Sequence, residues 1–223
     1  MSSTALTLVN RVLAVTGDYK SLTTISGSPA GIGARIVEFL NLTIGDVEKR
    51  TNFPFLRVNS QGTGDGTNDI FVFSGTEDVR FGGAVSVWLA QNGVAKELTP
   101  SQFDAVVASP NTTSASTTST DYYFQRGVDA TTNKLTIQLY PTPPTGVTIN
   151  ITAHKKATRL DSATDTSVTE IDDDVLVYGA LMHMDAYDGM DRGYSALYKN
   201  HLDEYVMEFY ANRDIQITME SYN

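Results

Sequence analysis

The chain reads as an α+β protein, a helical bundle of about four helices with a mainly antiparallel β domain inserted into it. Three observations predict this. Apolar residues recur at three- and four-residue steps near the beginning of the chain and again near its end. Between those zones, from about Phe55 to Arg159, the apolar period falls to two, with Gly and Asn as punctuation. Only one stretch inside that middle zone has a helical start signal. The shifts in period place the helical bundle at 1–54 and 160–213 and the inserted β domain, with its one short helix, at 55–159. An extended C-terminal tail follows at 214–223.

The first helix is ALTLVNRVLAV, with Leu6, Val9, Val12 and Leu13 on neighbouring faces and Gly17 as its stop. The second, within GARIVEFLNLTIGDVEKRTNF, carries Ile32, Ile36, Phe39, Leu40, Ile44 and Val47 at helical spacing, and Pro54 halts it. Five segments then read as strands: DIFVFSG, AVSVWLAQ, DYYFQRG, KLTIQLY and VTINITAHK. LTPSQFDAVVA is the short helix, with Thr99 as N-cap and Pro100 at the first position. SPNTTSASTTST, residues 109–120, has nine Ser or Thr in twelve positions and reads as a flexible loop. A Gly-rich loop is expected at 60–68.

Two more helices close the bundle. Asp172 to Tyr187 begins with three Asp at the positive end of the helix dipole. Tyr194 to Phe209 places Tyr194, Leu197, Tyr198, His201, Leu202, Tyr205 and Phe209 along one apolar stripe. In the tail RDIQITMESYN, Ile215, Ile217 and Met219 alternate with polar residues, as in an exposed strand.

The net charge is −10, and it is unevenly spread. From Asp161 to Asp191 there are nine acids and no Lys or Arg. Such a balance argues against gripping nucleic acid phosphates, though not against a surface that DNA slides past. The absence of cysteine excludes disulfides, thiolate metal sites and a Cys nucleophile. The N-terminal MSSTALTLVNRVLAV lacks the pattern of a secretory leader, and no segment approaches the apolar length of a membrane span.

The stretch IDDDVLVYGALMHMDAYDGMD, Ile171 to Asp191, holds one His and six Asp and raises the possibility of a metal site. Its spacing does not fit a calcium loop, and His183 has no second His one turn on. Helix capping and surface charge explain the same residues. Asp65, Thr67 and Asp69 have the spacing of the first three calcium ligands, but Ile70 stands where the loop needs Gly. SGSPAGIGAR lacks the Lys and spacing of a phosphate loop and reads as a helix–helix connection. His154, Lys155, Lys156 and Arg159 form the one basic cluster, suited to a solvated strand end, or else to DNA or an acidic partner. No hydrolase, zinc-protease or dinucleotide motif is present, so neither enzymatic activity nor a cofactor is expected.

Lys134 to Tyr187 resembles the head-to-tail adaptor (connector) family of tailed bacteriophages. The resemblance lies in the strand ending Leu139-Tyr140-Pro141-Thr142-Pro143, the next strand Val147 to Lys156 with its basic end, and the acidic helix start leading from Asp174 to Leu181. LTLVNRVL, TNFPFLR, LTPSQFDA and LYKNHLDEYVMEF are similar to the family too, so the likeness touches most of the chain. The loops at 60–68 and 109–120 are longer than the commoner pattern.

The resemblance implies a structural virion protein at the head-tail junction, assembled in the host cytoplasm. It implies a homo-oligomeric ring, typically of twelve copies, between the phage portal protein and a tail or nozzle protein. Genome DNA would pass through its channel without sequence-specific binding, and no membrane is involved. On that reading Ile215, Ile217, Met219 and Tyr222 are candidates for a portal-docking tail that adds a strand to a partner. Asp172, Asp173, Asp174, Asp188 and Asp191 are candidates for channel-facing acids that repel phosphate. The competing expectation is a binding module, in which Trp88, Tyr122, Tyr123 and Phe124 of the β domain recognise a host-surface glycan or receptor.

Overall fold

A computed structural model describes residues 3–17, 21–28, 31–74, 78–80, 85–89, 93–108, 121–129, 131–132 and 134–220, the stretch 210–220 by its backbone. Its elements run α1 (Ala5–Thr16), α2 (Ile32–Arg50), β1 (Arg57–Thr63), β2 (Ile70–Val72), β3 (Ser86–Leu89), β4 (Gly93–Val94) and β5 (Lys96–Glu97). They continue α3 (Pro100–Ala108), β6 (Tyr122–Val128), β7 (Leu135–Tyr140), β8 (Thr148–His154), α4 (Asp173–Asp188) and α5 (Tyr194–Glu220). The fold is α+β, as the apolar periods predict. The chain divides into two compact units, Met1–Phe55 with Ala157–Asn223, and Leu56–Lys156.

The first unit contains α1, α2, α4 and α5. Thr4 caps α1 by accepting from the Thr7 N–H, and Gly17, with φ of 81°, ends it in the left-handed region. Helix α2 buries Ile36, Val37, Leu40, Ile44 and Val47 on one side. It ends at Arg50, ahead of the predicted stop, because Thr51 is already extended, and Pro54 instead begins a short 3-10 turn, Pro54–Leu56. Asp172 caps α4 by accepting from the Asp174 and Val175 N–H groups, and Gly189 closes it. Tyr198 and Leu202 of α5 are buried, whereas Leu197 is 42% exposed and lies outside the stripe. Rings from Phe53, Phe55, Tyr205 and Phe209 pack with centroids 5.0 to 5.5 Å apart.

The C-terminal segment differs from expectation. Residues 214–220 are not an extended tail; α5 continues through them to Glu220. No Gly or Pro interrupts the chain after Phe209, and lengthening an existing helix needs no new nucleus. Tyr222 and the Ser/Thr-rich segment 109–120 lie outside the described residues.

Among the described residues the second unit has two four-stranded sheets, ordered β1-β8-β3-β4 and β2-β7-β6-β5. All pairs are antiparallel except β5 with β6. Its core includes Phe73, Val87, Leu89, Ile137, Leu139 and Ile149. The two ends of the unit meet in one ladder, where Arg57 of β1 pairs with His154 of β8. Strand β1 takes in residues 60–63 of the expected Gly-rich loop. The loop proper begins at Gly64, where a Cβ would stand 2.3 Å from the Pro144 carbonyl oxygen, so only glycine fits. Thr99 and Gln102 exchange side-chain and backbone bonds at the start of α3, a capping box.

Candidate functional site

The five candidate acids do not form one patch. Asp172, Asp173 and Asp174 are at the start of α4, while Asp188 ends it and Asp191 follows in the turn. A helix of this length separates the two groups by about 24 Å. At the first end most of the charge is used within the fold. Asp172 is the cap. Asp173 accepts from the Ser3 N–H at 3.2 Å and from its hydroxyl, and faces Arg11 Nη1 at 3.3 Å. Asp174 pairs with Arg11 Nη2. At the other end Asp188 and Asp191 are both exposed, and Asp191 accepts from the Gly193 N–H at 3.0 Å.

Asp185, the remaining Asp of this stretch, is buried. Its Oδ2 accepts from the Arg192 N–H at 2.8 Å, and Oδ1 lies 3.5 Å from Arg192 Nη1 without hydrogen-bond geometry. It therefore fixes the turn between α4 and α5. His183 reaches Asp46 of α2 at 3.1 Å, joining two helices. His201 stacks on Tyr178 with ring centroids 4.6 Å apart and planes 5° from parallel. Among the described residues no group of three or more His, Asp or Glu is arranged to hold a metal ion.

The other acid-rich candidate is also engaged. Asp65 Oδ1 accepts from the Asn68 and Thr67 N–H groups at 2.6 and 2.8 Å, and these bonds hold its carboxyl below the usual carboxylate range. Asp69 accepts from Gln138 at 2.6 Å. Of the basic cluster, Arg159 donates to Glu48 at 2.8 Å and to the Asn41 carbonyl at 3.1 Å. In the helix connection, Ser28 Oγ accepts from Gly33 N–H at 3.0 Å, and a Cβ on Gly33 would crowd Ile25 and Leu22.

The β-unit aromatics separate by role. Tyr123 is buried and donates its hydroxyl to the Val85 carbonyl; burial and the Glu97 charge push that hydroxyl well above its ordinary range. Phe124 packs on Phe103 at 4.6 Å. Tyr122 is half-buried. Trp88 is 45% exposed. The docking candidates Ile215, Ile217 and Met219 lie in the last turns of α5. This part of the helix extends about 16 Å past Phe209. No helix among the described residues is long and apolar enough to cross a membrane.

What sequence reasoning missed is the outer face of the β1-β8-β3-β4 sheet. Trp88 was visible as an aromatic residue, but the strands beside it carry amides and hydroxyls rather than an apolar alternation, so they gave no signal.

Residues 3–218 match the family model described as SU10 adaptor protein. No curated protein matches the chain.

Proposed function

The chain belongs to the SU10 adaptor protein family, a phage head-to-tail adaptor family, and from that membership we propose that it forms a ring between the portal and the tail. It is a structural virion protein of the head-tail junction without catalytic activity, assembled in the host cytoplasm, and the ring extends the channel through which the genome passes. The observation that carries this reading is the family match over residues 3–218, which takes in both units.

The physical features fit such a role. The helical unit has nine Lys and Arg against eighteen Asp and Glu, a net of −9; the β unit has seven against eight, a net of −1. A strongly acidic unit beside a channel repels phosphate and lets DNA slide. Asp188 and Asp191 are the better channel candidates, because Asp172, Asp173 and Asp174 are taken up by the cap, Ser3 and Arg11.

The portal-docking role of the C-terminal segment changes in kind. A helical end docks by laying one side into a groove, not by adding a strand. Ile215 and Met219, four residues apart, fall on the same side of a helix, and Ile217 falls on the other. Ile215 and Met219 are therefore the anchors, and Ile217 is not.

Native mass spectrometry of the chain with the portal protein of the same phage tests this, repeated with Asp214–Asn223 deleted. The expected result is a complex with many copies per portal, lost on deletion. A complex that survives deletion removes the docking role of the segment. No complex under any condition removes the adaptor-ring reading.

A further inference from the structure

The outer face of the β1-β8-β3-β4 sheet is made of the residues that alternate with its buried ones. Register sets Val94, Trp88, Asn150 and Gln61 in one row across the four strands. The adjacent row is Ser86, Thr152 and Asn59. Val94 is 71% exposed and Trp88 45%, so two apolar side chains stand together in water. None of the four strands contains an Asp or a Glu, in a chain of net charge −10.

We infer that this face is where one copy of the chain meets the β unit of the next copy. The inference rests on the ring reading given above and adds which surface joins the copies. Charge carries it. Helical units of net −9 repel one another, so neighbouring copies approach most easily through the unit of net −1, and within it through a surface free of carboxylates. The composition agrees: interface centres are poor in charge, and their energetic anchors are enriched in Trp.

The amides decide between a protein and a sugar as the occupant. Gln61 Nε2 donates to Asn150 Oδ1 at 2.8 Å, and Thr152 Oγ1 donates to Asn59 Oδ1 at 2.8 Å. These groups satisfy much of each other's demand, so covering them with a second copy leaves few polar atoms unmet. A carbohydrate would need the same groups free for its hydroxyls. Trp88 donates no hydrogen bond among the described residues, so its indole N–H is available to a carbonyl of the neighbour.

The test uses the full chain and the portal protein, with copies per portal read by native mass spectrometry and copy–copy association by sedimentation across a concentration series. Trp88→Asp and Val94→Asp are the probes. Val128→Asp, at a site 48% exposed on the other sheet, is the control. Thermal melts confirm that each variant folds. The expected result is that both probes weaken copy–copy association at least about tenfold, equivalent to 1.4 kcal/mol, and leave portals partly filled, while the control matches wild type. Full portals with either folded probe would overturn the inference and leave the adaptor reading standing. Wild type that binds no portal and does not self-associate would overturn both. Glycan binding by wild type that is lost in Trp88→Asp, with assembly unchanged, would reassign the face to a carbohydrate.

Discussion

Gly179 of α4 lies so close to Thr43 of α2 that a Cβ on the glycine would stand 2.2 Å from Thr43 Cγ2 and 2.7 Å from its Oγ1. Thr43 is fully buried and held by donating its hydroxyl to the Phe39 carbonyl, so it cannot swing away. Gly179→Ala therefore forces the two helices apart. Despite alanine's better helix propensity, the variant should lose about 1–3 kcal/mol in urea unfolding. Thr43→Ala in the same chain removes the two nearest atoms and should restore part of that loss. A single variant as stable as wild type would mean that the helices are not packed this closely.

Glu48 illustrates a second kind of dependence. It is 6% exposed, accepts from the Ala157 N–H at 3.0 Å, and pairs with Arg159 at 2.8 Å. Its carboxylate thus ties α2 to the chain that returns after the inserted strands. Glu48→Ala leaves a buried N–H without its acceptor and should cost about 1–3 kcal/mol. Glu48→Gln keeps an acceptor and should cost less. Arg159 is partly exposed, so Arg159→Ala should cost less than Glu48→Ala. Denaturant melts of the three variants check the order, and a reversal of alanine effects would contradict it.

How much of this could be read beforehand depends on whether a segment's burial was written in apolar residues. Helices α1 and α2 were legible because Val9 and Ile36 belong to one-sided apolar patterns, and α4 because three Asp mark its start. Strand β8 was legible because Ile149, Ile151 and Ala153 alternate with polar residues. Strand β1 was not: its inward positions are Val58, Ser60 and Gly62, which carry no such pattern, and its existence depends on pairing with β8. The end of α5 was misread because Ile215, Ile217 and Met219 fit a strand by alternation, although Ile215 and Met219 also fit a helix. Periodicity alone does not separate the two in so short a segment. The roles of the acids were similarly hidden. Nothing in the run of Asp172 to Asp174 says that Arg11, more than 160 positions away, pairs with Asp173 and Asp174, or that Ser3 donates to Asp173.

Tyr198 offers a case where removing a polar group should not hurt. Its ring is 5% exposed, and its hydroxyl is buried without a hydrogen-bond partner among the described residues. Burial, with the Asp46 charge adding to it, pushes that hydroxyl up to about 12. Tyr198→Phe keeps the packing and deletes the unmet group. Its stability in urea should equal that of wild type or exceed it by up to about 1 kcal/mol. A clear loss would show that the hydroxyl has a partner.

Three exposed turns should set part of the acid response. The carboxyls of Asp65, Asp129 and Asp161 are held below the usual carboxylate range, chiefly by the backbone N–H groups of Asn68, Thr132 and Ala163 respectively. A folded pKa below the unfolded one gives stability that is complete above the unfolded value. It is lost as pH falls through the lower, folded value. Carboxyl-carbon NMR titration should find all three titrating below the ordinary Asp value. The triple variant Asp65→Asn, Asp129→Asn and Asp161→Asn retains an acceptor oxygen in each turn but nothing to protonate. Its stability should therefore decline less steeply than wild type below pH of about 4. Parallel acid limbs for the two proteins would mean that these turns play no part in acid unfolding.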